Sequence, residues 1–549
     1  MKAHNNVAIY CYGEHTKALM REYIFELRSI MYIVDNGNID AKYQGFTIIK
    51  DDDLEFYGID GVIISTYQYR EEIKGVLTKN HKKIDFLDFY DVMHSSGINI
   101  ECEFYKFKTP YENYIEINEL YQKINKKKNT SCFLIELLEK YLEIKDFRLA
   151  SKAAEALYKE NNEPEYLELI NDINGLYEDC LNVLKLKGEN AVLLMCIDGL
   201  KAEEFCEKGH LSNTYHVVKS RAEIFEWAYS YSTSTYESLV PVFSENYDQN
   251  TNYMSSSDIP IKKCRFASFA KKQGRNIYVY SGGVKHILDP GIKYIEYAQT
   301  ITQMIWSFLH DLENDPNGLF FMRPLYESHF TFPSPYFQGR NLVVDGTSVF
   351  FDYLSTKGGK LRVKYSDQYE TSMNYIDDTL VPFFEHISCG TFLFADHGNY
   401  NYKMIECTKL EDMDAHQMTV AESLIRIPMA VFSPNGGGQN TRLISLMELN
   451  NIAISLMENK KFEYCKKYYI KIGRTAIYNP DYKYIFKYIL HSEHSLCAFE
   501  GFVFEDGYKL IVYSNGVKEL YKVAEDCIVE NIELVEKYYK LIEKEISII

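Results

Sequence analysis

The sequence predicts an α/β protein in three parts: an α/β region over 1–125, a helical connector over 126–188 and a larger α/β region over 189–549. Three observations lead there. Short apolar runs alternate with helical periodicity near both ends of the chain, the pattern of strands crossing over through helices. The stretch between them carries helical spacing throughout. In the last region two apolar runs stop on an aspartate, and the carboxyl ends of strands are where open α/β sheets take ligands.

The first region opens with NVAIYC (6–11), a buried strand. Tyr12-Gly13 turns the chain, and His15 to Ser29 has helical periodicity. IMYIVDN (30–36) is a second strand, ending on Asp35. FTIIKDDDLEFYGIDGVIIST (46–66) supplies a third strand, a connection and the strand Gly61–Ser65. A turn after the first strand with an acid about twenty positions on is the layout of a dinucleotide fold. Gly13 and Asp35 are therefore candidate cofactor-binding residues. The glycine fingerprint is incomplete, with Cys11 where an earlier glycine is expected. The stretch CYGEHT resembles the small Rossmann-like domains attached to bacterial glycan-biosynthesis proteins. That resemblance implies a nucleotide or sugar-nucleotide pocket; a purely structural Rossmann-like module is the other reading.

The connector follows. CFLIELLEKYLEIKDFRLASKAAEALYKE has apolar residues three and four apart. Asn161-Asn162-Glu163-Pro164 breaks it, and YLELINDINGLYEDCLNVLKLK resumes. From Asn190 onward strands alternate with helices again: VLLMCID (192–198), NIYVYSG (276–282), GLFFMRP (318–324), TFLFADH (391–397) and PMAVFSP (428–434). FVFEDGYKLIVYSNGVKELYKV reads as antiparallel strands around a Ser514-Asn515-Gly516 turn.

Composition narrows the partners. A net charge of −18 argues against a nucleic-acid surface. It leaves an anionic substrate open, because a bound metal ion inverts the local field. The twelve cysteines form no Cys-x-x-Cys pair, and several stand in apolar runs, as reduced buried thiols do. No run of eighteen apolar residues predicts a membrane span, and the first residues lack the features of a signal peptide. The expectation is a cytoplasmic protein.

Asp198 ends VLLMCID, and Asp396 with His397 ends TFLFADH. Two acids and an imidazole at two strand ends make a candidate metal site. Carboxylate oxygen and imidazole nitrogen suit zinc or manganese, with magnesium possible. Between them lies AYSYSTSTYESLVPVF (228–243), a hydroxyl-rich run ending at Thr235, with Ser238 three further on. A hydroxyl nucleophile needs activation, and a metal ion supplies it.

In that order the segments resemble the alkaline phosphatase/sulfatase superfamily: a strand with a metal-binding acid, a Thr, Ser or Cys nucleophile at a helix start, and a late strand ending in Asp-His-Gly. GLFFMRPLYESHFTFPSPY resembles the family's strand, histidine and aromatic-proline segment. YIDDTLVPFFEHISCGTFLFADHG resembles the helix before the Asp-His-Gly strand. ESLIRIPMAVFSPNG and DGYKLIVYSNGVKELYKVAEDCIVENIEL resemble its later strand and sulfatase-type tail. The resemblance covers about 190–535 and implies an alkaline-phosphatase-like α/β sandwich.

It also implies roles. Asp198, Thr235, Asp396 and His397 match the single-metal ligand set, and Thr235 matches the nucleophile, with Thr233 and Ser234 as fallbacks. His329 and His416 match histidines that contact the substrate or leaving group. The chain departs from sulfatases, having no cysteine and no arginine in Thr235-Tyr236-Glu237-Ser238-Leu239. It departs from two-metal enzymes, having Leu325 four residues before His329. The remaining likeness is to one-metal threonine enzymes, the lipoteichoic acid synthases and phosphoethanolamine transferases. The implied activity is metal-dependent hydrolysis or transfer of phosphate esters through a phosphothreonine. The substrate would be a phosphorylated sugar, lipid or polymer of envelope or surface glycan metabolism. A non-catalytic sulfatase-like scaffold and a nucleotide-sugar-binding protein are the alternatives.

Overall fold

The computed structural model describes residues 6–13, 15–16, 30–37, 42–43, 46–66, 69–88, 90–91, 110–126, 130–245, 264–280, 292–295, 299–329, 333–340, 365–401, 414–415, 420–432, 437–476 and 497–546. The chain forms two compact units, Met1–Phe107 and Lys108–Ile549. Both are α/β, as expected. Most of the helix expected over His15–Ser29 lies outside the described residues. Among the described residues no helix is long and apolar enough to cross a membrane.

In the first unit six strands form one sheet: β1 Val7–Tyr10, β2 Ile30–Val34, β3 Lys42–Tyr43, β4 Phe46–Ile49, β5 Gly61–Ile64 and β6 Asp85–Asp88. Their order is β3-β4-β2-β1-β5-β6, parallel except for β3 against β4. The chain leaves β1 to one side and later returns to its other side. The carboxyl ends of β1 and β5 thus form a switch point, the ordinary ligand crevice of such sheets. β1 and β5 are apolar along their whole length because both faces are covered. Ile73 and Leu77, one turn apart on the helix Arg70–Asn80, cover part of them.

The second unit begins with four helices, Pro110–Lys126, Ser131–Glu143, Phe147–Asn161 and Pro164–Lys187. The helical run thus starts at Pro110, ahead of the connector read from sequence. The Asp146 side chain caps the third helix by accepting from Leu149 N at 2.9 Å. Asn162 ends that helix in the left-handed region, and Pro164 opens the next, where its missing N–H costs nothing.

The strands that follow are β7 Val192–Cys196, β8 Glu223–Tyr229, β9 Ile277–Tyr280, β10 Ile292–Ile295, β11 Leu319–Met322, β12 Gly390–Phe394, β13 Tyr400–Asn401, β14 Asp414–Ala415, β15 Met429–Phe432 and β16 Gly438–Ser445. Eight of them build the central sheet in the order β10-β9-β11-β7-β12-β15-β8-β16; β13 and β14 pair separately. Within the central sheet β15 is antiparallel to both its neighbours, and every other described pairing is parallel. β7 is the middle strand and is buried from end to end. Each of its leucines contributes about 2 kcal/mol by leaving water.

Register sets the site. Cys196 of β7 pairs with Phe394 of β12. Asp198 and Asp396 each stand two residues beyond that pair, so they emerge side by side. On the other flank of β7, Met322 of β11 pairs with Met195. Arg323 therefore leaves the sheet next to the same strand end.

A five-stranded antiparallel sheet closes the chain: β17 Tyr469–Arg474, β18 Phe499–Phe504, β19 Tyr508–Tyr513, β20 Lys518–Lys522 and β21 Cys527–Ile528. β19 and β20 meet at the expected Ser514-Asn515-Gly516 turn, where Gly516 has φ of 84°. The helix Ile532–Ile542 packs Tyr538 and Ile542 onto this sheet.

Candidate active site

The site stands at the carboxyl ends of β7, β11, β12 and β8. Asp198, Asp396 and His397 are fully buried. Each follows an apolar strand that terminates only when the ladder gives way to a turn. Ile197 N still donates to Phe394 O at 2.8 Å, and Asp198 N donates to Pro324 O at 3.0 Å. Gly199 then takes φ of 66° and donates its N–H to Asp396 Oδ1 at 3.2 Å. A Cβ there would meet Asn399 Nδ2 at 2.8 Å, so the position demands glycine twice over. Gly398 is required by close approach: a Cβ there would collide with the carbonyl oxygen of Ser423.

Thr235 is the first residue of the helix Thr235–Ser244. Its hydroxyl sits at the positive end of the helix dipole, where an ionised oxygen is favoured. Thr235 Oγ1 is 3.2 Å from His397 Nε2 and 3.5 Å from Asp198 Oδ2. Of the fallback hydroxyls, Thr233 Oγ1 is buried without a hydrogen-bond partner and Ser234 is the helix N-cap.

His397 is held by its other nitrogen. Nδ1–H donates to the carbonyl oxygen of Gly398 at 2.7 Å, which turns Nε2 toward the acids. His397 Nε2 lies 3.8 Å from Asp198 Oδ1 and 3.8 Å from Asp396 Oδ2. Asp198 Oδ1 and Asp396 Oδ2 are buried and accept no hydrogen bond from the described residues. Two such oxygens beside an imidazole nitrogen suit a cation. Carboxylate, hydroxyl and imidazole donors fit zinc, manganese or magnesium. Ligand atoms of Asp198, His329 and His397 come within 4.8 Å of one another.

His329 sits at the end of a single turn, its N–H donating to Leu325 O at 2.9 Å. Its Nε2 is 3.8 Å from Asp198 Oδ1, and its side chain is 21 % exposed while the acids are sealed. It therefore stands on the rim of the site. His416 lies outside the described residues.

Sequence reasoning missed several neighbours. Arg323, buried at the end of β11, donates through one terminal nitrogen to Asp198 Oδ2, and that nitrogen lies 3.3 Å from Thr235 Oγ1. Its Nε is 4.0 Å from Asp396 Oδ2. Burial draws the guanidinium below its ordinary value, with Asp396 opposing, but a guanidinium remains protonated. Burial pushes the Asp396 carboxyl up; His397, Arg323 and the Gly199 N–H outweigh it and hold the group below its usual range. Ser230 donates to the backbone carbonyl of Asp396, and its Oγ is 2.8 Å from Ser238 Oγ. Ser238 thus steadies, through Ser230, the strand end that carries Asp396. Asn399 donates to Gly199 O at 2.7 Å and Ser328 O at 3.3 Å, tying three loops together. The proximity of Arg to Pro in GLFFMRP was the available signal for Arg323, and it marked only a strand end.

In the first unit, Asp35 is engaged by the backbone. It accepts from Tyr12 N at 2.9 Å and Gly37 N at 2.8 Å. Cys11 takes the left-handed conformation, φ 88°, that a glycine would adopt freely. A Cβ on Gly13 would meet Cys11 Sγ at 3.9 Å, an ordinary contact.

The family model described as "C2185-like, N-terminal" matches residues 3–84. No curated protein matches the chain. Among solved structures, the phosphonate monoester hydrolase of Agrobacterium radiobacter is similar at 11 % identity and a TM-score of 0.43, over 65 % of this chain and 95 % of that one. A putative sulfatase from Bacteroides thetaiotaomicron is similar at 13 % identity and a TM-score of 0.41, over 65 % and 90 %. The C-terminal periplasmic domain of EcEptC from Escherichia coli, in complex with Zn, is similar at 13 % identity and a TM-score of 0.35, over 50 % and 84 %.

Proposed function

We propose that the second unit is a metal-dependent phosphoric ester hydrolase or phosphotransferase with Thr235 as nucleophile. The observation that supports it most is the convergence of Thr235 Oγ1 on His397 and Asp198, beside two buried carboxylate oxygens that accept no hydrogen bond from the described residues. Asp198, Asp396, His397 and Thr235 would hold one divalent ion, zinc or manganese by donor type. That ion supplies positive charge for a phosphoryl oxygen.

The chain's own groups do the rest. The helix N-terminus and the Arg323 guanidinium favour the ionised form of Thr235. Thr235 gives its hydroxyl proton to solvent and its Oγ1 attacks phosphorus; the new O–P bond forms as the bond to the leaving oxygen breaks. His329, on the rim, gives that oxygen a proton and recovers one from solvent. Water or a second alcohol then attacks the phosphothreonine and frees Thr235. The substrate class we favour is a phosphorylated sugar, lipid or polymer of envelope or surface glycans. For the first unit we favour a structural role, because Asp35 is spent on the backbone.

Elemental analysis of purified protein, paired with turnover of bis-p-nitrophenyl phosphate, p-nitrophenyl phosphate and p-nitrophenyl sulfate, tests this reading. A bound divalent ion with phosphodiester turnover is expected. Protein that binds no ion, or that turns over the sulfate in preference, would sink it.

A further inference from the structure

We infer that the helix Pro110–Lys126 belongs to the active site: its Tyr114 holds Glu327, and Glu327 is the positioning residue that sets the His329 imidazole for proton transfer to the leaving oxygen. This rests on the role given to His329 under Proposed function. Tyr114 stands ahead of the stretch that carries the family resemblance, so the contact is a feature of this chain.

The residues that lead to the imidazole are each held from a different part of the fold. Tyr326 meets Tyr111 of the helix edge to face, with ring centroids 5.0 Å apart. Glu327 Oε1 accepts from Tyr114 Oη–H and, at 3.0 Å, from the N–H of Ile301, the first residue of the helix Ile301–Asn314. The Glu327 carbonyl accepts from Ser372 Oγ at 2.6 Å, and the Ser328 carbonyl accepts from Asn399 Nδ2 at 3.3 Å. His329 N then closes the turn on Leu325 O at 2.9 Å. One turn on from Tyr114, Asn118 accepts from Gly339 N at 2.6 Å and donates to Arg340 O at 2.7 Å. Tyr111, Tyr114 and Asn118, three and four residues apart, lie on one face of the helix. That face grips the segment bearing His329 on both sides of the imidazole.

A carboxyl group sealed from water is costly, and an apolar side chain would fill the same space at less cost. What the carboxyl adds is direction. Two donors, one at a helix start and one on a buried phenol, fix its plane and with it the backbone two residues before the imidazole. His329 Nε2 is thereby kept 3.8 Å from Asp198 Oδ1, on the open side of the buried acids. A reacting group misplaced by about 1 Å can lose about 100-fold in rate.

The test assays full-length wild type, Tyr114→Phe, Glu327→Gln, Glu327→Leu and His329→Ala on bis-p-nitrophenyl phosphate and on diphenyl phosphate. The phenolate that leaves the second diester is the stronger base and depends more on a proton donor. Tyr114→Phe is expected to lose about tenfold and Glu327→Leu about 100-fold in kcat on diphenyl phosphate, with KM within about threefold. Both losses are expected to be at least about threefold smaller on bis-p-nitrophenyl phosphate. Glu327→Gln keeps an acceptor for Tyr114 and Ile301 and is expected to restore most of the rate. In the His329→Ala background, Tyr114→Phe is expected to cost nothing further, since it acts through the imidazole. Equal losses on the two diesters would overturn the inference, as would a Glu327→Gln variant no better than Glu327→Leu, or a Tyr114→Phe loss that persists without His329. If Glu327→Leu does not fold, Tyr114→Phe with and without His329 decides in the same way. Wild type that turns over neither diester removes the reading under Proposed function and this one with it. Active wild type with an indifferent Tyr114→Phe removes this one only.

Discussion

His397 Nδ1 donates to the carbonyl oxygen of Gly398 at 2.7 Å, and that bond turns Nε2 onto Thr235 Oγ1 at 3.2 Å. One residue's backbone thus aims its neighbour's side chain. His397→Gln keeps polarity but loses the aimed nitrogen. Its affinity for manganese is expected to fall at least about 100-fold, measured by calorimetric titration. Undiminished affinity would remove His397 from the ligand set.

Thr235→Ala should lose turnover of bis-p-nitrophenyl phosphate by at least about 10³-fold. Thr235→Ser keeps an oxygen in place and should retain part of the rate. Thermal melts of both variants separate a loss of chemistry from a loss of folding. An active alanine variant would mean that another group attacks phosphorus.

Glu327 gives a pH dependence. It is buried, accepting from Tyr114 Oη–H and from Ile301 N at 3.0 Å. Burial raises its carboxyl to about 7, from 4.5 in an exposed chain; the Tyr114 and Ile301 hydrogen bonds oppose the rise. Between those values the folded protein holds a proton that the unfolded chain has lost. Its contribution to stability is therefore whole below about pH 4.5 and is lost as the pH rises through about 7. Glu327→Gln mimics the protonated form. At pH 8 it should be more stable than wild type by about 3 kcal/mol, with near equality at pH 4.5, measured by urea denaturation. Parallel pH profiles for the two proteins would refute this.

Gly398→Ala should cost about 3 kcal/mol, because its Cβ meets backbone rather than a movable side chain. Gly438→Ala is the control, having nothing within 4 Å. Equal denaturation midpoints for the two variants would contradict the contact with Ser423.

Much of this was legible in the sequence because it is local. Apolar strands ending on Asp198 and on Asp396-His397 show themselves by pattern, and the Thr235 helix start follows a run of small hydroxyl residues. Arg323 was not legible, since its direction depends on the β11–β7 register. Ser230, Asn399 and the Tyr114–Glu327 contact join residues far apart in the chain, and no periodicity reports such pairings. The reversed direction of β15 is of the same kind: MAVF has the composition of any buried strand.

The terminal sheet reaches the site through two carboxylates, Glu237 buried and Glu422 partly buried. Glu237, on the Thr235 helix, accepts from Thr475 N at 3.1 Å, just past β17. Glu422, beside the Ser423 carbonyl that faces Gly398, accepts from Lys509 Nζ at 2.8 Å, and its N–H donates to Asp526 at 2.9 Å. Nucleophile and ligand strand are thus both moored to residues beyond 474. A chain truncated ahead of β17 keeps Asp198, Thr235, Asp396 and His397 but loses both moorings, so the geometry around Thr235 and Gly398 is expected to depend on the terminal sheet.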